Sequence, residues 1–474
     1  ASATGAAYGL LPIGWIVLNI LFLYQLTRER GAFEQMQASI ARVSSDKRIQ
    51  LVLIAFSLGA FFEGAAGFGA PVAITGALLI GLGFSPLQAS GLSLIANTAP
   101  VAFGSMGTPV IALQGVTGID IMLLSRMVGR QVPLFALIVP AWLVWAYDGW
   151  RGVRETWGAI LVAGVSFAVP QFVLSNFHGP YLVDVTAGAT SIAAVCIFVR
   201  LRTRRVERAA AVDSLVVAPD ERGSGLTPWI PWILLSAFVL VWGLAPVKSF
   251  LNELFAPKLH VPFLDGVVLR APPIGTGTHA EPAVFAFNIL SATGTSVLVA
   301  ALVGGVTMGF SPRELVRVYG RTFRMATPSL VTIAAMLSLG YLTRFSGLDA
   351  ILGLAFARTG LFYPFFGTLL GWLGVALTGS DTASNVLFGN LQAVTARQLG
   401  LSPVLMAAAN SSGGVMGKMI DMQSIVVASA ATRYRGEEGR ILRFVFTHSL
   451  VLAVLVGVLV MLQAYVPPFT GMVP

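Results

Sequence analysis

Charge is scarce in this chain of 474 residues: Asp, Glu, Lys and Arg make up 11% of it and hydrophobic residues 56%. Soluble globular domains carry about 25% charged residues. With a mean hydropathy of +0.81, a chain this long cannot cover itself with polar surface in water, so its solvent is lipid. Cysteine is nearly absent. Cys196 stands alone inside an apolar run, which excludes a disulfide framework, a thiolate metal cluster and an iron–sulfur site and reads as a small packing residue. The four histidines show no metal-ligand spacing, and no phosphate-binding glycine loop is present. Neither a metal, nor a cofactor, nor ATP drive is therefore expected. The excess of basic over acidic residues (30 against 21) does not point to nucleic acid, because Lys and Arg gather in short segments between apolar runs, as membrane orientation signals do. Residue 1 is Ala, and a span follows almost at once without a signal-peptide pattern. The expectation is that the numbering starts inside a longer protein.

About 20 apolar residues span the hydrocarbon core as a helix. Candidate spans lie near 8–27, 87–113, 132–147, 156–174, 181–199, 228–246, 284–308, 325–343, 402–425 and 444–466. Two further apolar stretches, 49–84 and 362–398, are interrupted in the middle by Gly-rich or polar clusters. Basic residues concentrate at 28–48, 200–208, 313–324 and 433–443. All four segments share the cytoplasmic side if 49–84 and 362–398 each enter the membrane and return. The chain then divides into an N-terminal span with an amphipathic cytoplasmic segment (1–48), a first repeat (49–200), a cytoplasmic loop (201–226), spans with an extracellular loop at 247–283 (227–361), and a second repeat (362–474).

The repeat is visible as an ordered series. Leu58-Gly59 through Gly64 resembles Leu373-Gly374 through Gly379, and Leu82-Gly83-Phe84-Ser85-Pro86 matches Leu399-Gly400-Leu401-Ser402-Pro403. Asn97 then aligns with Asn410, Gly104 and Met106 with Gly417 and Met419, and Arg130 with Arg443. With the orientation above, the copies are inverted relative to each other. The expected fold is an all-α polytopic membrane protein with inverted repeats, two re-entrant hairpins and discontinuous helices. Secondary transporters are built this way, with the site near the midplane at the repeat interface.

Irregular backbone at membrane depth survives only where protein or a watery cavity satisfies it. Four interruptions fit: 63–71, with Gly64, Gly67 and Gly69; Asn97-Thr98-Ala99-Pro100; Gly379-Ser380-Asp381-Thr382-Ala383-Ser384-Asn385; and Asn410-Ser411-Ser412-Gly413-Gly414. Helix N-termini after such breaks offer free N–H groups to a small carboxylate. Close helix packing through small residues is the bland alternative for any one break. The candidate binding set is Gly64, Gly67, Gly69, Asn97, Thr98, Gly379, Ser380, Thr382, Asn385, Asn410, Ser411 and Ser412. Glu63 and Asp381 flank the two tips, and ionisable residues at this depth are usually functional, so either can carry a proton. Lys418 and Asp421 can pair on one helix face, with a snorkelling lysine as the alternative. Asp184, near the start of a span, reads as interfacial. Arg443 is a possible partner of Asp381. His448 suits either a proton relay or a hydrogen-bonded packing role.

The run FFEGAAGFGAPVAITGALLIGLGFSPLQASGLSLIANTAPVAFGSMGTPV (61–110) resembles the hallmark segment of the bacterial lactate permease family. So do MVGRQVP (127–133), DGWRGVRETW (148–157), SATGTSVL (291–298), FFGTLLGWLGVALTGSDTASN (365–385) and NSSGGVMGKMI (410–420). The resemblance covers essentially the whole chain, apart from a beginning where family members carry about two more spans. It implies uptake of lactate, and often glycolate, coupled to protons across the bacterial inner membrane, and kinship with the ion-transporter superfamily. It leaves room for a homodimer. A sodium-coupled carboxylate carrier and a carboxylate exchanger remain the rival readings. An intramembrane enzyme would need a nucleophile–base or metal pair, and none is present in the spans.

Overall fold

The computed structural model describes residues 1–32, 34–35, 43–65, 67, 70–210, 227–271 and 278–474. Helix covers 81% of the described residues. Among the described residues seven helices are long and apolar enough to cross a membrane, or nine if each of two bent pairs is a single span.

The chain opens with α1 (Ser2–Glu29). Next come α2 (Lys47–Ala65) and α3 (Ala70–Gly81). Then α4 (Pro86–Ala96) and α5 (Gly104–Thr117) follow, bent from one another by 60°. The 57-residue α6 (Ile121–Phe177) turns at Gly149, whose φ is +63. Its two legs lie against each other: Ser125 donates to Ser175 O, and a β-carbon on Gly164 would stand 2.7 Å from Leu137 O. After α7 (Val183–Ala210) and α8 (Ile230–Gly243), the chain bends by 76° into α9 (Ala245–Leu254). The rest comprises α10 (Thr293–Thr307), α11 (Pro312–Ser346), α12 (Leu348–Phe356), α13 (Tyr363–Thr378), α14 (Asp381–Gln398), α15 (Pro403–Gly417), α16 (Met422–Ala431) and α17 (Glu438–Tyr465).

Local sequence dictates many of the helix boundaries. Ser85 and Gln88 form a capping box ahead of α4 with Pro86 in the first turn, and Ser311, Pro312 and Glu314 do the same for α11. Asp120, Ser380, Ser402 and Asp421 each accept backbone N–H bonds at the starts of α6, α14, α15 and α16. Gly118, Gly347 and Gly379 end helices in the left-handed conformation.

Three expectations need correction here. The loop at 247–283 and its edge are not all helix or coil: β1 (Lys258–His260) pairs antiparallel with β4 (Val284–Ala286), and β2 (Leu269–Arg270) with β3 (His279–Ala280). The span expected at 284–308 accordingly begins only at Thr293, because the residues after Pro282 alternate as a strand. The loop expected at 201–226 is helical to Ala210, and residues 211–226 lie outside the described residues.

The basic segments gather at one end of the bundle. Arg30 reaches Gly309 O and Glu314, and Arg321 reaches Glu29. Arg48 bonds Asp46, Asp148 beside the α6 turn, and Glu155 (2.5 Å). Burial pushes the Asp46 carboxyl up, and the hydrogen bonds and charge of Arg48 outweigh it, so Asp46 lies below the usual carboxylate range. At the opposite end, Arg344 binds Glu281 and Gly115 O, and Arg130 binds Asn176 and Met472 O. Between these ends, large apolar side chains such as Leu137, Leu161, Val165, Leu455 and Val458 are exposed, as a lipid-facing surface requires. Trp150 and Trp157, exposed near the α6 turn, suit the interfacial belt.

Candidate functional site

The interior holds two polar clusters, each where an apolar helix pair is interrupted. In the first, Lys47 Nζ donates to Gly83 O at 2.8 Å, so α2 and α3 leave and return at one level. Between them Gly67, with φ +57, donates its N–H to Phe62 O. Gly69 lies outside the described residues. Glu63 is buried in the last turn of α2, and its Oε2 has no hydrogen-bond partner among the described residues. Gly64 lets α2 touch the start of α7, since a β-carbon there would meet Val185 N at 2.6 Å and Asp184 Cβ at 2.9 Å.

Asp184 is therefore not interfacial. It is 1% exposed, its Oδ1 accepts from Gln171 Nε2 at 3.2 Å, and its Oδ2 is unpartnered among the described residues. Gln171 also donates to Ala99 O, in the break between α4 and α5. Asn97 opens that break, buried, within reach of the Glu63 carboxyl but with neither amide atom in a well-formed hydrogen bond. Thr98 returns its hydroxyl to Ile95 O. Beyond the break, Ser105, Met106 and Gly107 take φ of 44, 60 and 77. For the two non-glycine residues such backbone costs about 1–3 kcal/mol each and tends to cluster at functional positions. A β-carbon on Gly67 would collide with Ser105 Oγ, so there is no room for a side chain there.

The second cluster is built on the turn Gly379–Ser380 between α13 and α14. Tyr363 OH donates to Gln392 Oε1 (2.7 Å), and Gln392 Nε2 donates to Gly367 O, so these helices also run out and back. Ser380 caps α14, and Asp381, Thr382, Ser384 and Asn385 lie buried in its first turns. Here many polar groups answer one another, although Asp381 Oδ1 has no hydrogen-bond partner among the described residues. Ser411 donates to Asp381 Oδ2 at 2.5 Å, and Asn385 Nδ2 donates to Pro109 O on α5. Asn410 Nδ2 donates to Asn385 Oδ1 and its Oδ1 accepts from Gln392. Ser412 donates to Gln131 on α6.

The break expected at Asn410–Gly414 is absent: α15 runs unbroken through it, and the interruption falls at Lys418–Asp421. The two glycines serve packing. A β-carbon on Gly413 would meet Thr368 Cγ2 at 2.7 Å, and one on Gly414 would collide with Asp381 Oδ1 and meet Val375 Cγ2 at 2.9 Å, so Gly414 also makes room for that carboxyl. Lys418 Nζ donates to Gly379 O at 2.6 Å and stands 3.2 Å from Asp421 Oδ2. The Asn385–Pro109 hydrogen bond joins this cluster to α5, the helix that follows the break of the first.

Two charge or proton partners named from sequence lie elsewhere. Arg443 is exposed on α17 and forms no ion pair with Asp381 among the described residues. His448 accepts from Trp142 Nε1 at 3.1 Å and packs against Trp145 and Phe444, a hydrogen-bonded packing role. Gln171 and the strained Ser105–Met106 pair carry no sequence signal, because their roles arise only once α6 and α7 pack on the break.

The first cluster thus sets the buried Asn97 amide, whose atoms have no hydrogen-bond partner among the described residues, beside the Glu63 carboxyl. Buried polar atoms without partners are few in native proteins and call for a physical reason. Among the described residues they include Glu63, Asn97, Gln171 and Asp184 in the first cluster and Asp381, Asp421 and Ser424 in the second.

Comparison with known proteins bears on the same chain. The family model described as L-lactate permease matches residues 1–467. Glycolate permease GlcA of Escherichia coli (strain K12) is 45% identical over 496 residues, covering 100% of this chain and 88% of its own length. The L-lactate permease of Bacillus subtilis (strain 168) is 44% identical over 503 residues, again covering 100% and 88%. The solved structure of the Alcanivorax borkumensis YdaH transporter is 16% identical, with a TM-score of 0.49 over 98% of this chain and 87% of its own.

Proposed function

The chain belongs to the L-lactate permease family, a multi-pass membrane transporter and not an enzyme, and from that premise we propose that it imports lactate and glycolate together with a proton. The substrates are those named for its relatives. The observation that carries proton coupling is Glu63, a buried carboxyl that no ion pair reaches among the described residues, set beside the unpartnered amide of Asn97. Ionised, Glu63 repels a carboxylate. Protonated, it can donate a hydrogen bond to one. Loading by proton and anion is then interdependent, and linkage requires each to raise the affinity of the other equally.

In this reading α2–α3 and α13–α14 are re-entrant hairpins of two inverted repeats. The support is directional. Lys47 and Gly83 meet at the end that gathers the basic segments, whereas Tyr363 and Gln392 meet toward the other end, where Phe365 packs on Gly457 late in α17. The lactate carboxylate is assigned to Asn97 and the tip backbone, with the Asn410 network as the frame. The test is uptake of labelled lactate by the reconstituted protein under separately imposed proton and sodium gradients. Accumulation driven by the proton gradient alone supports the reading. Accumulation driven only by sodium defeats it.

A further inference from the structure

Among the described residues Lys418 is the only lysine or arginine that is buried. Its side chain does not snorkel to water. The ammonium donates to Gly379 O at 2.6 Å and stands 3.2 Å from Asp421 Oδ2. Gly379 closes the C-terminal end of α13, and Lys418 itself closes that of α15. Two helix ends with negative dipole character thus meet at the ammonium, and the carboxylate facing it caps the start of α16, accepting from Ser424 N at 2.7 Å. A β-carbon on Gly379 would lie 3.1 Å from Asp421 Oδ1, so tip, carboxylate and ammonium form one packed unit. Carbonyls at half-helix C-termini together with a carboxylate are the donor set that holds alkali cations in secondary transporters.

We infer that Lys418 is a tethered cation: its ammonium fills a monovalent-cation site at the second tip, so that the tip is held shut without sodium. The inference rests on the transport reading above. The matching position in the first motif, Gly104-Ser105-Met106 against Gly417-Lys418-Met419, holds an uncharged serine against Gly67. The halves therefore divide the ionic work. The second tip carries a fixed positive charge, and the first leaves the Glu63 carboxyl to an exchangeable one.

The experiment uses the full chain, purified in detergent and reconstituted, in choline, sodium or potassium chloride at equal ionic strength. The unaltered protein is expected to show the same Tm and the same lactate exchange in all three. Lys418→Ala leaves Asp421 and Gly379 O facing a void. In choline its Tm should fall by about 5 °C, as for a broken buried pair, and exchange by about tenfold. Sodium, or sodium and potassium, should restore most of both. Lys418→Ala combined with Asp421→Asn removes both charges and should regain Tm without responding to the salt. A single variant that behaves identically in the three salts overturns the inference, and so does one that cannot be recovered in any of them, because a vacated ion site must be fillable. An unaltered protein that requires sodium overturns it too. The Tm measurement needs no substrate, so failure of the lactate assignment would leave this result standing.

Discussion

Gly104 is fitted to Glu63: a β-carbon on Gly104 would stand 2.6 Å from Glu63 Oε1 and 3.3 Å from its Cγ. The glycine sits where the break after α4 hands over to α5, and the carboxyl from α2 fills the space it leaves. Hairpin and break are thus joined through one side chain that can change its charge. A proton on Glu63 alters a contact between two elements, and not only the affinity of a pocket.

Gly104→Ala should displace the Glu63 carboxyl or the turn beneath it, an overpacking cost of about 1–3 kcal/mol. Proton-driven lactate accumulation should fall more than lactate exchange. Paired uptake and counterflow assays on the same proteoliposomes check this, and equal losses in both would assign Gly104 to packing alone.

Asn97 and Asn410 occupy matched sequence positions but should respond differently to alanine. The Asn97 amide is buried with its atoms unbonded, so Asn97→Ala should leave Tm unchanged or raised. If lactate supplies the missing partner, its affinity should fall about 5- to 150-fold, the equivalent of about 1–3 kcal/mol. Asn410→Ala strips bonds from Asn385, Ser384 and Gln392 and should cost about 1–3 kcal/mol of stability. Substrate titrations alongside thermal melts separate the two.

The backbones of α13 and α15 touch. A β-carbon on Gly371 would stand 2.8 Å from Asn410 Cα, closer than real side chains come. Gly371→Ala should force the helices apart and lower Tm by several degrees, an overpacking cost of about 1–3 kcal/mol. An unchanged melt would show that the contact is not needed.

Much of this was legible in sequence, for reasons that differ residue by residue. Ser85, Ser311 and Ser402 announce helix starts because capping is local. Lys418 and Asp421 do meet, at 3.2 Å, but across the interruption between α15 and α16 and not on one helix face as the spacing suggested. Gly413 and Gly414 misled, because a glycine pair reads alike whether it breaks a helix or admits a neighbouring backbone, and only the position of α13 decides. Asp184 misled in the same way. Its place near a helix start suggested the interface, but Gly64 and Gln171, distant in sequence, enclose it. The strand pairing of Lys258–His260 with Val284–Ala286 joins segments far apart in the chain and leaves only a faint alternation to read.

At the basic end, Arg48 joins the start of α2 to the α6 turn through partly exposed carboxylates. Arg48→Ala should cost about 1 kcal/mol, the scale of exposed ion pairs. Asp46, held below its usual range, contributes stability above its unfolded value of about pH 4 and loses it as pH falls further. Melts of the unaltered protein and the variant should therefore converge as the pH is taken down through the lowered Asp46 range. A gap that persists there would assign Arg48 to packing.

The most direct test of the central claim is Glu63→Gln, measured by counterflow and by uphill lactate uptake in proteoliposomes between about pH 5.5 and 8, a span wide enough to reveal linkage between proton and anion. In the unaltered protein lactate affinity should fall as pH rises, because the proton that accompanies the anion is withdrawn. The glutamine keeps a hydrogen-bond donor but cannot release a proton. The account predicts that counterflow persists, accumulation against the gradient disappears, and affinity no longer varies with pH. A Glu63→Gln protein that still concentrates lactate with the normal pH dependence would contradict the account and move the proton to another carboxyl, Asp381 first.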